Sequence, residues 1–323
     1  LRVIDYRLVA VSFAAAIITW SVAHSKFSSA SFEYYKSPGK RVIAMLGGAV
    51  SGTRPTLSWE DRYNARLAEI RRFIPVPELE GTVDIYPYQI AALISSQNEW
   101  SPRPVFQSFS AYTPELVRAN AEHLVGPNAP DNVLFEFGSI DGRYPSMDDG
   151  ASWSAFLENY EITGITDRYL ILGKRPTARP FHSIRPLAAR QAAFGESVEV
   201  GDHGDIVLAE FEVSSSPFGD LMNLLYKQSA VVLSVALSNG EIRRHRFVPG
   251  QAVSGFILSP YVDRLERFAA LWPESGLDSE LPTVAGFRID EVPAAPSMWR
   301  TSYSVKLYEM TWSTGSDGEV SGK

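Results

Sequence analysis

Residues 81–125, GTVDIYPYQIAALISSQNEWSPRPVFQSFSAYTPELVRANAEHLV, set short β-type runs against helical ones. Thr82–Tyr86 (TVDIY) is rich in β-branched and aromatic residues and is bounded by Gly81 and Pro87, which predicts a strand. Residues 89–96 predict a helix, and residues 105–110 (VFQSFS) a second strand. Thr113 as N-cap with Pro114 in the first helical position predicts a helix over Pro114–Val125. Beyond it, residues 132–137 (NVLFEF) and 169–173 (YLILG) read as strands, with a helix over 152–159 between them. Strand and helix in alternation predict a small α/β module with a largely parallel sheet.

Upstream, Ser58 and Asp61 form an approximate capping box for a helix whose Tyr63, Leu67, Ile70 and Ile74 share one face, ended by Pro75 and Pro77. Before that, residues 41–46 (RVIAML) read as a short strand followed by the loop GGAVSGTRP. Downstream, the proline- and arginine-rich run KRPTARPFHSIRP, residues 174–186, is the best candidate for a domain boundary. The chain then reads as β, with candidate strands at 197–200, 206–213, 230–237, 241–248, 254–258, 284–289 and 302–310. Asn239 and Gly240 stand between two of them as a hairpin signal. The predicted fold is α+β and multidomain. Residues 1–40 form an apolar anchor helix and connector, 41–176 the α/β module, 177–312 a jelly-roll-like β-sandwich, and 313–323 a polar tail.

The chain has 323 residues, 45% of them hydrophobic and 21% charged, which is ample core material for two domains. Thirty Lys and Arg against 37 Asp and Glu give a formal charge of −7, which argues against nucleic acid as a partner. With no cysteine, disulfides, thiolate metal sites and a thiol nucleophile are excluded.

The most apolar run, from Leu8 to Ala23 (LVAVSFAAAIITWSVA), carries no charge and has Trp20 near its end. A spanning helix needs about 20 apolar residues, with roughly 17 as the lower limit. The run therefore stands at the short edge of a single membrane anchor, with a buried core helix as the alternative. The anchor reading places the bulk of the chain outside the cytoplasm, in a periplasmic or similar extracytoplasmic compartment.

Ligands of α/β sheets bind beyond the carboxyl ends of the strands. Asp84, Tyr86, Gln107, Ser108, Tyr112, Asp141 and Arg143 all end or follow predicted strands, and Trp100 and Arg103 lie in the loop between them. On such an edge Arg103 and Arg143 would clamp an anion, Asp84 and Asp141 would accept sugar hydroxyl protons, and Trp100 or Tyr112 would stack on a ring. The competing reading makes these arginines and aspartates partners of one another in rigid, proline-shaped loops. Asp148 and Asp149 lack the EF-hand spacing and read as an N-cap for the helix that follows. His203 in GDHGD reads as a hairpin tip. No H-E-x-x-H, Walker or G-x-S-x-G motif is present, so the sequence implies no metal and no cofactor.

The phrases PRPVFQSFSAYTP and APDNVLFEFGSIDGRYPSMDDGASWSAFLENY, within residues 58–175, resemble a segment of uncharacterised bacterial membrane-associated proteins. The later phrases YLILGKRP and RFVPGQAVSGFILSPYV resemble the same group. In that group a glycosyltransferase-like hydrophobic portion, in some members polytopic, precedes a soluble extracytoplasmic region. The resemblance implies no activity and no catalytic residues.

These readings together predict a membrane-anchored extracytoplasmic binding or scaffolding subunit of a larger membrane assembly, without catalysis of its own. Its partners would be protein subunits of a membrane complex or a glycan, the latter contacted through exposed aromatics such as Trp299 or Tyr303. The alternative is an enzyme or accessory domain of sugar or lipid-linked glycan metabolism. Its mark would be that Asp84→Asn and Asp141→Asn abolish turnover at an unchanged melting temperature.

Overall fold

Three sheets organise the described residues, one mixed and two antiparallel. The computed structural model describes residues 58–225, 228–276, 281–292 and 297–312. The Leu8 to Ala23 run, the strand expected at 41–46 and the polar tail lie outside the described residues. Among the described residues, no helix is long and apolar enough to cross a membrane.

Helix α1, Trp59–Phe73, opens on the expected capping box. The Ser58 hydroxyl donates to Asp61 Oδ2 at 2.8 Å, and the Asp61 amide donates to Ser58 Oγ at 3.0 Å. None of its residues is fully buried, and Tyr63, expected on the apolar face, is exposed.

The mixed sheet comprises β1 (Thr82–Tyr86), β2 (Glu99–Trp100), β3 (Asn132–Glu136), β4 (Tyr160–Ile165) and β5 (Tyr169–Lys174), in the order β2-β1-β3-β5-β4. Strands β2, β1 and β3 are parallel, whereas β5 is antiparallel to both β3 and β4. The expectation of a largely parallel sheet is thus corrected to a mixed one. The cause is local: only three residues separate β4 from β5, and so tight a connection can join only antiparallel strands. Helices α2 (Ile90–Ser95), α3 (Pro114–Val125) and α4 (Gly150–Asn159) accompany this sheet. The Thr113 hydroxyl accepts from the Leu116 amide at 3.4 Å, the N-cap read from the sequence. Alternation along β3 sends Val133 and Phe135 into one cluster with Trp153 and Phe156, and Leu134 into another with Val83, Ile85 and Leu93.

The strand expected at 105–110 does not form. Those residues make a loop that ends in a 3-10 turn, Ser108–Ser110, and the strand beside β1 is the two-residue β2. Pro102 and Pro104 remove two donors from this stretch, and the carbonyls of Val105 and Phe106 accept from the Arg103 side chain.

The other two sheets are built from β6 (Ser183–Ala193), β7 (Ser197–Glu199), β8 (Ile206–Glu212), β9 (Val231–Leu237), β10 (Ile242–Phe247), β11 (Phe256–Ser259), β12 (Val284–Glu291) and β13 (Ser302–Thr311). One has the order β10-β9-β12-β7, the other β11-β8-β13-β6, and every pairing is antiparallel. Phe211 of β8 meets Phe256 of β11 on its own sheet, and Phe247 of β10 and Phe287 of β12 on the other, so one apolar cluster fills the space between the two. Short helices α5 (Pro217–Leu225), α6 (Pro249–Ala252) and α7 (Leu265–Ala269) occupy the connections.

All three sheets belong to the compact unit that starts at Leu67. Tyr86, Phe135 and Phe156 of the mixed-sheet region share a core cluster with Ile206, Ile257 and Met310 of the antiparallel sheets. Phe135 stacks on Phe268 of α7 with ring centres 4.0 Å apart. The approach is closest at Gly150, where a Cβ would stand 2.2 Å from the Gly255 carbonyl oxygen.

Candidate functional site

Asp84 and Arg103 are drawn together by the turn of chain between β1 and α3, and both side chains are completely buried. Arg103 Nη1 donates to Asp84 Oδ2 at 2.7 Å and to the Ile85 carbonyl at 2.8 Å. Its Nη2 donates to the carbonyls of Pro87 and Phe106 at 2.8 and 2.9 Å, and its Nε to that of Val105 at 3.1 Å. A guanidinium has five N–H donors, and all five are engaged. Its plane also lies 3.6 Å from the centre of the Tyr86 ring. The second Asp84 oxygen accepts from Trp100 Nε1 at 3.1 Å. Four of the expected site residues, Asp84, Tyr86, Trp100 and Arg103, therefore do meet, but as partners of one another rather than as a clamp open to a ligand.

Arg143 forms a second knot. Its Nη1 donates to Asp148 Oδ1 at 2.8 Å, to the Phe109 carbonyl at 2.9 Å and to Gln251 Oε1 at 3.3 Å, and its Nη2 donates to the Tyr112 hydroxyl at 3.1 Å. Gln251 belongs to α6, so this arginine ties the loop after β3 to the antiparallel part of the molecule. Asp141 does not join Asp84. It pairs on the surface with Arg246 of β10 at 2.7 Å, next to a parallel bridge between Arg143 and Arg246. Gln107 is exposed.

Asp149 is the buried group that the sequence reading misses. Expected as an N-cap, it occupies that position with a left-handed backbone, φ 63° and ψ 50°, but its side chain makes no capping bond. The carboxyl turns inward instead. Its Oδ2 accepts from Asn120 Nδ2 at 2.8 Å and from the Ser108 hydroxyl at 3.4 Å, while Oδ1 has no partner. Burial raises its pKa from 3.8 to about 6, against the opposing pull of Arg103. The Tyr86 hydroxyl and Ser152 Oγ are also buried without partners. A narrow cavity of about 10 Å³ beside Tyr86 and Ser108 has room for about one water. This ensemble holds acids, a cation and a hydroxyl, but no space for a substrate. The signal available in the sequence was the Asp-Asp-Gly run, since a second acid beside a cap is surplus to capping.

Two further expectations are corrected. Trp299 and Tyr303 are buried to 7% and 2% exposure, with the Trp299 indole donating to the Ser229 carbonyl at 3.1 Å, so neither offers a face to a glycan. His203 lies in the connection from β7 to β8, which belong to different sheets, so it is no hairpin tip; its ring nitrogens stand 3.1 Å from Ser259 Oγ and from the Gly204 carbonyl.

An open cleft lies elsewhere. It has a volume of about 850 Å³ and runs over the face of the β10-β9-β12-β7 sheet, lined by Ser234, Arg244 and Arg288 among others. That size lies within the usual range of small-molecule pockets. The sequence offers no residue of this cleft as a binding candidate, because β7, the β9-β10 hairpin and β12 that line it lie far apart in the chain.

Comparison of the chain with protein-family models, with curated proteins and with solved structures found no match.

Proposed function

We propose that this chain is a membrane-anchored, extracytoplasmic binding or scaffolding subunit of a larger membrane assembly, without catalysis of its own. Its mixed-sheet region acts as rigid support, and its antiparallel sheets present the recognition face. We read those eight strands as a jelly roll: numbered from β6 as first to β13 as eighth, they run first-eighth-third-sixth in one sheet and second-seventh-fourth-fifth in the other, the order of two interleaved Greek keys. The membrane part of the reading rests on the uncharged run from Leu8 to Ala23.

The observation that supports binding over turnover is the saturation of the sheet edge. Asp84 and Arg103 are locked on each other and on backbone carbonyls, while the outer sheet face carries an open cleft of about 850 Å³. The resemblance to membrane-associated proteins with an extracytoplasmic region agrees with this reading. Extraction in mild detergent tests it: the chain is expected to comigrate with membrane-protein partners, and recovery only as a lone monomer would overturn it.

A further inference from the structure

The outer face of the β10-β9-β12-β7 sheet carries two cross-strand rows. Register places Arg244 beside Ser234, Ser234 beside Arg288, and Arg288 beside Ser197. One step along, Ile242, Ala236, Gly286 and Glu199 are aligned in the same way. Directly paired residues project to the same face, so both rows look away from the apolar core, which takes the alternate residues Leu233, Val235 and Phe287.

The first row has the makings of an anion site. Arg244 and Arg288 stand on alternate strands, about 10 Å apart across the sheet. Among the described residues Arg244 has no ion pair, and Arg288 engages Asp290 through Nε alone, at 3.0 Å. Between them Ser234 is only 7% exposed, and its hydroxyl has no hydrogen-bond partner. A buried unpaired hydroxyl is costly, and one placed between two guanidinium groups is satisfied by an acceptor oxygen arriving from the cleft.

The second row defines the rest of the ligand. Ala236 and Gly286 leave the floor low and smooth, Ile242 supplies an apolar wall, and Glu199 supplies an acceptor at the far end. A negatively charged polymer with a charge on every unit at close spacing would meet Glu199 unfavourably. A ring bearing one carboxylate, with hydroxyl donors on its other side, matches both ends.

We propose that this cleft binds a saccharide bearing an isolated carboxylate, with that uronate carboxylate between Arg244 and Arg288 over Ser234 and hydroxyls of the neutral part donating to Glu199. The proposal rests on the reading of the chain as a binding subunit and names the ligand class of that face.

Calorimetric titration of the full chain in detergent with an aldobiouronate, one glucuronate joined to one neutral sugar, with its methyl ester and with orthophosphate tests it. The acid form is expected to bind and the neutral ester not to bind. Arg244→Ala and Arg288→Ala should each weaken binding about tenfold or more, as expected for loss of a charge-assisted hydrogen bond. Glu199→Ala should also weaken binding of the acid, because the sugar hydroxyls lose their acceptor, whereas Glu199→Gln, which keeps a neutral acceptor oxygen, should weaken it less. Equal binding of ester and acid, orthophosphate binding as tightly as the saccharide, no binding of any probe, or affinity unchanged in both arginine variants would each overturn the assignment. If the same preparation still comigrates with membrane partners while binding no saccharide, the subunit reading stands and only the ligand falls.

Discussion

Asp84 and Arg103 face each other at 2.7 Å with neither side chain exposed at all. Breaking one half of such a pair leaves a desolvated charge without compensation, which costs about 3–5 kcal/mol. Asp84→Asn is therefore expected to lower stability by roughly that amount. Arg103→Ala should be at least as damaging, because it also abandons the carbonyls of Ile85, Pro87, Val105 and Phe106. Urea denaturation of both variants checks this. An unchanged midpoint for Asp84→Asn would show that the carboxylate is not a structural counter-ion, and would revive the edge as a site for chemistry.

The contrast with Asp141 separates a structural pair from a surface one. Asp141 and Arg246 also meet at 2.7 Å, but their side chains are 57% and 37% exposed. Solvent screening holds such a pair below about 1 kcal/mol. Arg246→Ala should accordingly move the denaturation midpoint little. Arg143→Ala, which strands the buried Asp148 carboxylate, should cost about 3–5 kcal/mol. Similar losses from the two variants would contradict the burial argument.

What the sequence disclosed follows from how local its signals are. Thr113 and Pro114 fix the start of α3 within four residues of chain, and Thr82–Tyr86 is bounded by its own Gly and Pro, so both are legible. Strand β6 is not, because Pro186 inside an arginine-rich run reads as a linker. It is tolerated because β6 lies at the edge of its sheet, where a missing N–H on the outer side breaks no ladder. The loop at 105–110 looks like a strand by composition; what decides otherwise is the Arg103 guanidinium, which Asp84 of β1 holds in place to take the Val105 and Phe106 carbonyls. The candidate residues of the sheet edge were correctly grouped in part, but whether a polar group serves a ligand or a neighbour depends on burial, which residue spacing does not encode. The cleft over β7, β9, β10 and β12 depends on the register of β12 with β9 and β7, which lie far from it in the chain, and the local hairpin signal between β9 and β10 does not report it.

Asp149 gives stability an unusual pH dependence. Its carboxyl in the folded chain titrates at about 6 rather than 3.8, so the folded state holds the proton more tightly than the unfolded one. Its contribution is fully present below about pH 4 and is lost as pH rises through about 6. The difference corresponds to about 3 kcal/mol at most. Asparagine keeps the amide contacts, tolerates the left-handed backbone and removes the charge. Asp149→Asn should therefore gain stability relative to the parent chain as pH is raised from 4 to 7.5. Denaturation curves of both proteins across that range test it, and a difference that stays constant with pH would show that Asp149 does not carry the titration.

Gly150 offers a test of sign. At an ordinary helix position glycine to alanine stabilises by roughly 0.5–1 kcal/mol, because alanine restricts the unfolded chain and favours the helix. Here the added methyl would meet the Gly255 carbonyl oxygen at 2.2 Å and Phe256 Cβ at 3.0 Å. The first of these is backbone at the turn that enters β11, so it cannot swing aside as a side chain would. Relief requires α4 to move away from β11, which would disturb the hydrogen bonds that the Tyr144 and Ser146 hydroxyls donate to the Leu258 and Ile257 carbonyls, both at 2.6 Å. Gly150→Ala is thus expected to destabilise the chain by about 1–3 kcal/mol, in the range of overpacked cores. Equilibrium denaturation decides the sign: a stabilised variant would mean that α4 stands further from β11 than a direct backbone contact allows.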